Sequence, residues 1–320
     1  MGRRPGRTDR SNTIAPVTWR EGVHLTGTPI WCDARRRRDI CFVSSVDRVV
    51  RTGHGQLIGT ALTLDLLGAR GGGHLAVPLR KRFTLGTLRL ELFPSGRALG
   101  AAALHVDAVG RTVLYAGAVR TIVSPLIEGA EVRTADALVV AAPLGEPHHR
   151  LEPLDDIATR VVEWSRAQLA ASRPTVLVVE SALDGIEVAA RLVAEGVPVV
   201  GSKSIRDAVQ RLEGIAGIPA IRALGRGPAV LIRAETDRGK TAPDAVTALV
   251  AARAIDPAPG WSAQFAWPFV AGRDQLLAWI EQTRAREIFV TGPCADAIVA
   301  ALGSRARVLG PPRQMALFGT

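Results

Sequence analysis

Apolar positions along the chain fall into two regimes. Residues 1–16, MGRRPGRTDRSNTIAP, have no hydrophobic period, and the composition predicts a disordered basic tail. From Val17 short apolar stretches alternate with Gly, Thr and Pro, a pattern of strands joined by tight turns. Beyond residue 150 the period changes. The spacing of Ile157, Val161 and Trp164 predicts a helix over 151–172, with Asp155 and Asp156 in its first turn where the helix dipole favours anions. A strand Thr175–Val179 follows. A helix over 183–195 comes next with Ile186, Ala190 and Val193 in register, then a strand Val197–Val200 and a helix from Ser204 with Ile205, Val209 and Leu212. That order is a βαβα unit on a parallel sheet, with Gly196 placed to end the second helix. An apolar strand at 229–232 and an apolar stretch at 245–255 extend it. The last portion predicts a helix near 274–285, a strand at 287–291, a helix near 295–303 and a strand at 307–309.

Composition narrows the class. A chain of 320 residues with 47% hydrophobic and 4% aromatic content is long enough to bury a large core. The three cysteines, Cys32, Cys41 and Cys294, form no CxxC pair, which argues against a disulfide framework or a thiolate zinc site. No apolar run reaches membrane-spanning length and no apolar leader opens the chain, so a cytoplasmic protein without a membrane partner is expected. The net charge of +10 is carried almost wholly by arginine. Arginine pairs bidentately with phosphate, but an Ala-Arg-Gly-Pro-rich chain also arises from base composition alone, so charge leaves a nucleic-acid partner open. The run Arg35–Arg38, just before a strand at 39–44, reads as an exposed loop. The glycine-rich GARGGGH at 68–74 lacks the Gly-Lys-Ser/Thr ending of a phosphate loop.

The segments GTPIWCDARR, LFPSGRALGAA and VLYAGAV, in that order and spacing, resemble the metallo-β-lactamase fold and most closely its nucleic-acid-processing β-CASP branch. The resemblance implies an α/β architecture: an αββα sandwich from residues 17–150 and 251–311, with an inserted α/β cap over 151–250 and a tail at 312–320. It also implies a metal site of His and Asp ligands for two zinc ions that bridge a hydroxide. Most of those positions have changed. Asp33 matches the first Asp. Where the family reads HxHxDH, the chain carries Ser45, Asp47, Val49 and Val50. The His of "SGHxxGSA" is Arg97 and the Asp of "YTGD" is Ala118. The family's acidic cap residue, His-containing "SDHAD" and final "VHG" correspond to Ala141, Val270 and Gly292. The expectation is a zinc-free, catalytically degenerate relative with Arg97 near Asp33 and Asp47. Arg97 there serves either as a structural ion pair or as a phosphate contact.

The histidines offer no replacement: His24, His54, His74, His105, His148 and His149 show no ligand spacing, and adjacent His148 and His149 diverge in any helix or strand. The resemblance then implies a nucleic-acid-binding or scaffold subunit of DNA repair or replication, acting beside an active paralogue or repair proteins. An active metal-dependent exonuclease with a relocated site is the alternative. Finally, Gln314, Met315, Ala316, Leu317 and Phe318 resemble the pentapeptide that binds the bacterial sliding clamp; Met315, Leu317 and Phe318 would otherwise close the protein's own core.

Overall fold

The structure, a computed structural model, describes residues 15–311 apart from 48–52, 70–71, 109, 224, 226 and 239–241. The expected basic tail (up to residue 14), the positions Val49 and Val50, and the tail motif Gln314–Phe318 therefore lie outside the described residues.

The protein is mixed α/β, with three sheets. The first has six strands in chain order: β1 (Val17–Trp19), β2 (Val23–Leu25), β3 (Ile30–Cys32), β4 (Ile40–Phe42), β5 (Gln56–Gly59) and β6 (Leu75–Ala76). The second has seven, built from β7 (Arg82–Leu85), β8 (Leu88–Pro94), β9 (Ala102–Ala108), β10 (Arg111–Ala118), β11 (Ala137–Ala141), β17 (Glu287–Thr291) and β18 (Ala306–Val308). The first two sheets pack face to face. Val23, Ile30, Phe42 and Ile58 from one meet Leu90, Leu104, Val139 and Phe289 from the other. Alternation along the strands decides the second face. On β11, Ala137 and Val139 point into that sandwich, while Leu138 and Val140 meet Leu276 and Ile280 of α5 (Arg273–Gln282) and Ile298 of α6 (Ala295–Leu302). On the opposite outer face, Cys41 and Leu57 pack against Leu64 of the short α1 (Ala61–Leu66).

The third sheet is parallel throughout, in the order β13 (Val199–Gly201), β14 (Val230–Ala234), β12 (Thr175–Val179), β15 (Val246–Ala251), β16 (Ala263–Ala266). Its helices are α2 (Leu154–Ala170), α3 (Ala182–Ala194) and α4 (Lys203–Arg211). Every residue of β12 is buried, as expected of a central parallel strand. Two expectations need correction. A boundary at residue 250 would fall inside β15; the sheet continues through β16, so the chain returns to the sandwich only at α5. The buried stripe of α3 is Leu183, Ile186, Ala189 and Leu192, while Val193 is 41% exposed. The i, i+3 spacing of that stripe places Asp184 and Glu187 on the inward side.

Candidate functional site

Strands β8, β10, β11 and β17 all run in one direction, so their C-terminal ends share an edge of the second sheet. Ala118 pairs with Ala141 and Ala141 with Thr291, which sets Ala118, Ala141 and the following Gly292 side by side on that edge. The third sheet presents its own strand ends there. Neighbouring β12 and β15 leave in opposite directions, one toward β13 and the other toward β16. Such a switch point opens a crevice in parallel α/β sheets. A cavity of about 210 Å³ lies at the junction, lined by Ser45, Asp47, Arg97, Ala118, Glu180 and Val270 among others. Five positions singled out by motif thus share one cavity: Ser45, Asp47, Arg97, Ala118 and Val270. Asp33, Ala141 and Gly292 do not line it.

Arg97 dominates the electrostatics. The turn that carries it needs Gly96 at φ +73°, because a Cβ there would stand 2.1 Å from the Arg120 carbonyl oxygen. Arg97 Nη1 donates to Asp184 Oδ1 at 2.7 Å and Nη2 to Asp184 Oδ2 at 3.3 Å, while Nη2 lies 2.7 Å from Asp47 Oδ2. Burial works against the charged guanidinium, but Asp184 and Asp47 outweigh it and hold the group above its ordinary range. The expected Asp47 contact is there. The second carboxylate, Asp184 of α3, was not anticipated from the sequence. With both Nη groups on carboxylates, Arg97 forms an internal ion pair.

Asp33 is held separately. It accepts from Ser44 N at 2.9 Å, Ser44 Oγ at 2.6 Å and Tyr115 OH at 2.8 Å. Gly117 makes room for that cluster, since a Cβ on it would come within 2.9 Å of Ser44 Oγ. At the crevice mouth Glu180 pairs with Arg253 at 3.0 Å. Burial first, then the charge of Asp184, pushes the Glu180 carboxyl above its usual range despite Arg97 and Arg253. The residues present do not fit two zinc ions. The donor set lacks histidine, Ala118, Ala141 and Val270 offer no ligand atom, and a guanidinium stands among the carboxylates.

A second buried ion pair lies nearby. Arg120, fully buried, donates to Glu187 Oε2 at 2.7 Å and Oε1 at 2.8 Å, and Trp267 Nε1 reaches Glu187 Oε1 at 3.3 Å. Two carboxylates three apart on α3 therefore grip one arginine each from the sandwich loops. Carboxylates at i and i+3 on an apolar helix face were the available signal: ALDGIEVAARLVA has no other reason to bury them.

The expected divergence of His148 and His149 also needs correction. They lie in an irregular segment, where adjacent side chains are free to converge. His148 Nε2 is 2.7 Å from Asp256 Oδ1 and His149 Nε2 is 2.9 Å from Asp256 Oδ2. This is the single group among the described residues with the ligand geometry for a metal ion. Its hydrogen bonds disfavour that use. His149 Nδ1 accepts from the amides of Gly145 and Glu146 at 3.0 and 3.1 Å. An imidazole whose Nδ1 lone pair takes two amide protons carries its own proton on Nε2, the nitrogen a metal would need. Cys294 Sγ lies 3.9 Å from the same Nδ1, and burial raises its thiol. All three cysteines are free and buried.

No family model matches the chain, and no curated protein matches it. Among the described residues no helix is long and apolar enough to cross a membrane.

Proposed function

We propose that the chain is a degenerate metallo-β-lactamase-fold protein of the β-CASP kind: an αββα sandwich with an α/β cap whose metal chemistry has been replaced by an internal ion network. In this reading it is a non-catalytic nucleic-acid-binding or scaffold subunit of DNA repair or replication. The observation that carries it is the seat of Arg97, paired at once with Asp47 beyond β4 and Asp184 on α3. Losing two dications would leave the cavity carboxylates repelling one another. A fixed guanidinium offsets that charge and ties cap to sandwich, without supplying the acidified water that hydrolysis requires. Elemental analysis after mild purification should find no stoichiometric zinc, and the protein should leave labelled single- and double-stranded DNA and RNA uncut in Mg²⁺, Mn²⁺ or Zn²⁺. About two zinc ions per chain, or metal-dependent cleavage abolished by substituting His148 or Asp256, would restore the hydrolase reading with a relocated site.

The pentapeptide Gln314–Phe318 supports a scaffold role at the sliding clamp. Leu317 and Phe318 would supply most of the affinity, since burying such side chains contributes about 1.5–3 kcal/mol each. A peptide of the last eleven residues should bind purified bacterial clamp, and Leu317→Ala with Phe318→Ala should abolish binding by the full chain while leaving its thermal midpoint unchanged. A lower midpoint with no clamp binding by the intact protein would place the tail in the core instead.

A further inference from the structure

The crevice is a poor place for a phosphate. Asp47 and Glu180 line it and Asp184 stands behind Arg97, while the lining guanidiniums, Arg97 and Arg253, already hold carboxylates. Elsewhere several arginines are neutralised in place: Arg80, Arg111, Arg160, Arg191, Arg305 and Arg307 each sit on a carboxylate. Arg89, Arg173, Arg222, Arg284 and Arg286 are exposed without an ion pair among the described residues, but none of them is adjacent to another; one unpaired stretch is consecutive. Arg35, Arg36 and Arg37 are exposed and make no ion pair among the described residues.

Their backbone is firmly set. The seven residues 33–39 bridge the parallel strands β3 and β4 without a helix. Ala34 is fully buried and packs against Gly22, whose missing side chain allows the approach: a Cβ there would lie 2.5 Å from Ala34 Cα. Arg35 N donates to the Glu21 carbonyl oxygen at 2.7 Å, and Arg38 N donates to His54 Nδ1 at 3.1 Å. Arg38 lies over Trp31, 3.7 Å from the ring centroid, and its Nη2 donates to the Arg20 carbonyl oxygen at 2.6 Å. His24 stacks on Trp31 with ring centroids 4.5 Å apart. The loop is thus anchored at both ends, and Arg20 from the β1–β2 turn joins the same surface. The local counter-charges are the carboxylates of Glu21 and Asp39, and neither pairs with the run.

We propose that this arginine loop, and not the crevice, is the surface that holds the sugar-phosphate backbone of a nucleic acid, an inference that rests on the nucleic-acid-binding role proposed above. Three consecutive unpaired guanidinium forks suit phosphodiester oxygens, which they can engage two at a time. His24 and Arg38 already stack on Trp31, the aromatic ring beside the run, and occupy it. The contact is therefore to the backbone and independent of base sequence.

The experiment is fluorescence anisotropy of an end-labelled single strand against the full-length protein over a salt series. The variant Arg35→Ser/Arg36→Ser/Arg37→Ser should weaken binding more than tenfold at low salt. It should also flatten the log–log salt dependence by about 2, three released phosphate contacts at about 0.7 each. Arg253→Ser at the crevice mouth should leave affinity within about twofold. The triple variant should melt with the wild type, and the single reversal Arg36→Glu gives the same test with less change. Unaltered affinity and slope in both loop variants, with the wild type binding, would overturn this surface and leave the nucleic-acid role standing. No binding by the wild type would overturn both. Binding of polyglutamate but not of the strand, lost in the triple variant, would assign the surface to an acidic protein and overturn the proposal.

Discussion

Replacing Arg97 with leucine is expected to destabilise the protein by about 3–5 kcal/mol in urea denaturation at neutral pH. Removing one partner of a buried ion pair leaves the others charged and desolvated. Here the side chain of Asp184 is 1% exposed, so water cannot replace the guanidinium there without local opening, while Asp47, 15% exposed on the crevice wall, loses its counter-charge. Arg97→Lys should lose less, because charge survives while the fork that engages both Asp184 oxygens does not. A loss below about 1 kcal/mol for the leucine variant, with an unchanged denaturant slope, would mean that the carboxylates find water or protons easily and that Arg97 does not close the cavity. The prediction bears on function as well as stability, since the same guanidinium is what excludes metal from the crevice in the proposed reading.

The pair Arg120–Glu187 should show the larger coupling. Arg120 is wholly buried and Glu187 is 5% exposed, and the two meet through parallel bonds of 2.7 and 2.8 Å. Glu187→Leu strands a buried cation and also frees Trp267 Nε1, so a loss of about 3–5 kcal/mol is expected. Arg120→Met should cost a similar amount. The double variant Arg120→Met/Glu187→Leu should recover most of it, because replacing a buried pair by apolar groups of like volume is often neutral. A double-mutant cycle in chemical denaturation reads this directly, with a coupling above about 2 kcal/mol expected. Additive losses would show that each residue acts through packing alone. Because Arg120 follows β10 and Glu187 lies on α3, the single variants should also loosen the attachment of the third sheet to the sandwich, seen as new proteolytic sites near residues 142–153.

Elements with local causes were legible in the sequence. The apolar runs TVLVV and EIFVT fall on β12 and β17, because a buried parallel strand needs an uninterrupted apolar segment and nothing more. The helix α2 likewise announces itself by period and first-turn carboxylates. Of the positions singled out by motif, Ser45, Asp47, Arg97, Ala118 and Val270 line one cavity, while Asp33, Ala141 and Gly292 do not.

Only the tertiary structure decided the partners. Arg97 and Asp184 are 87 residues apart, Arg120 and Glu187 are 67 apart, and His148 and Asp256 are 108 apart. No local pattern encodes which distant charge a guanidinium will meet. The inward face of α3 shows the same limit. Periodicity alone allowed Ile186, Ala190 and Val193 as the buried stripe, but burying Asp184 and Glu187 became favourable once two arginines waited opposite them. The third sheet reached β16 because β15 offered it an edge, a hydrogen-bonding opportunity that a boundary drawn from composition cannot see. Sequence fixes a segment's own preference through its local pattern. Pairing, register and charge compensation are set by whichever surface the folded chain brings against it.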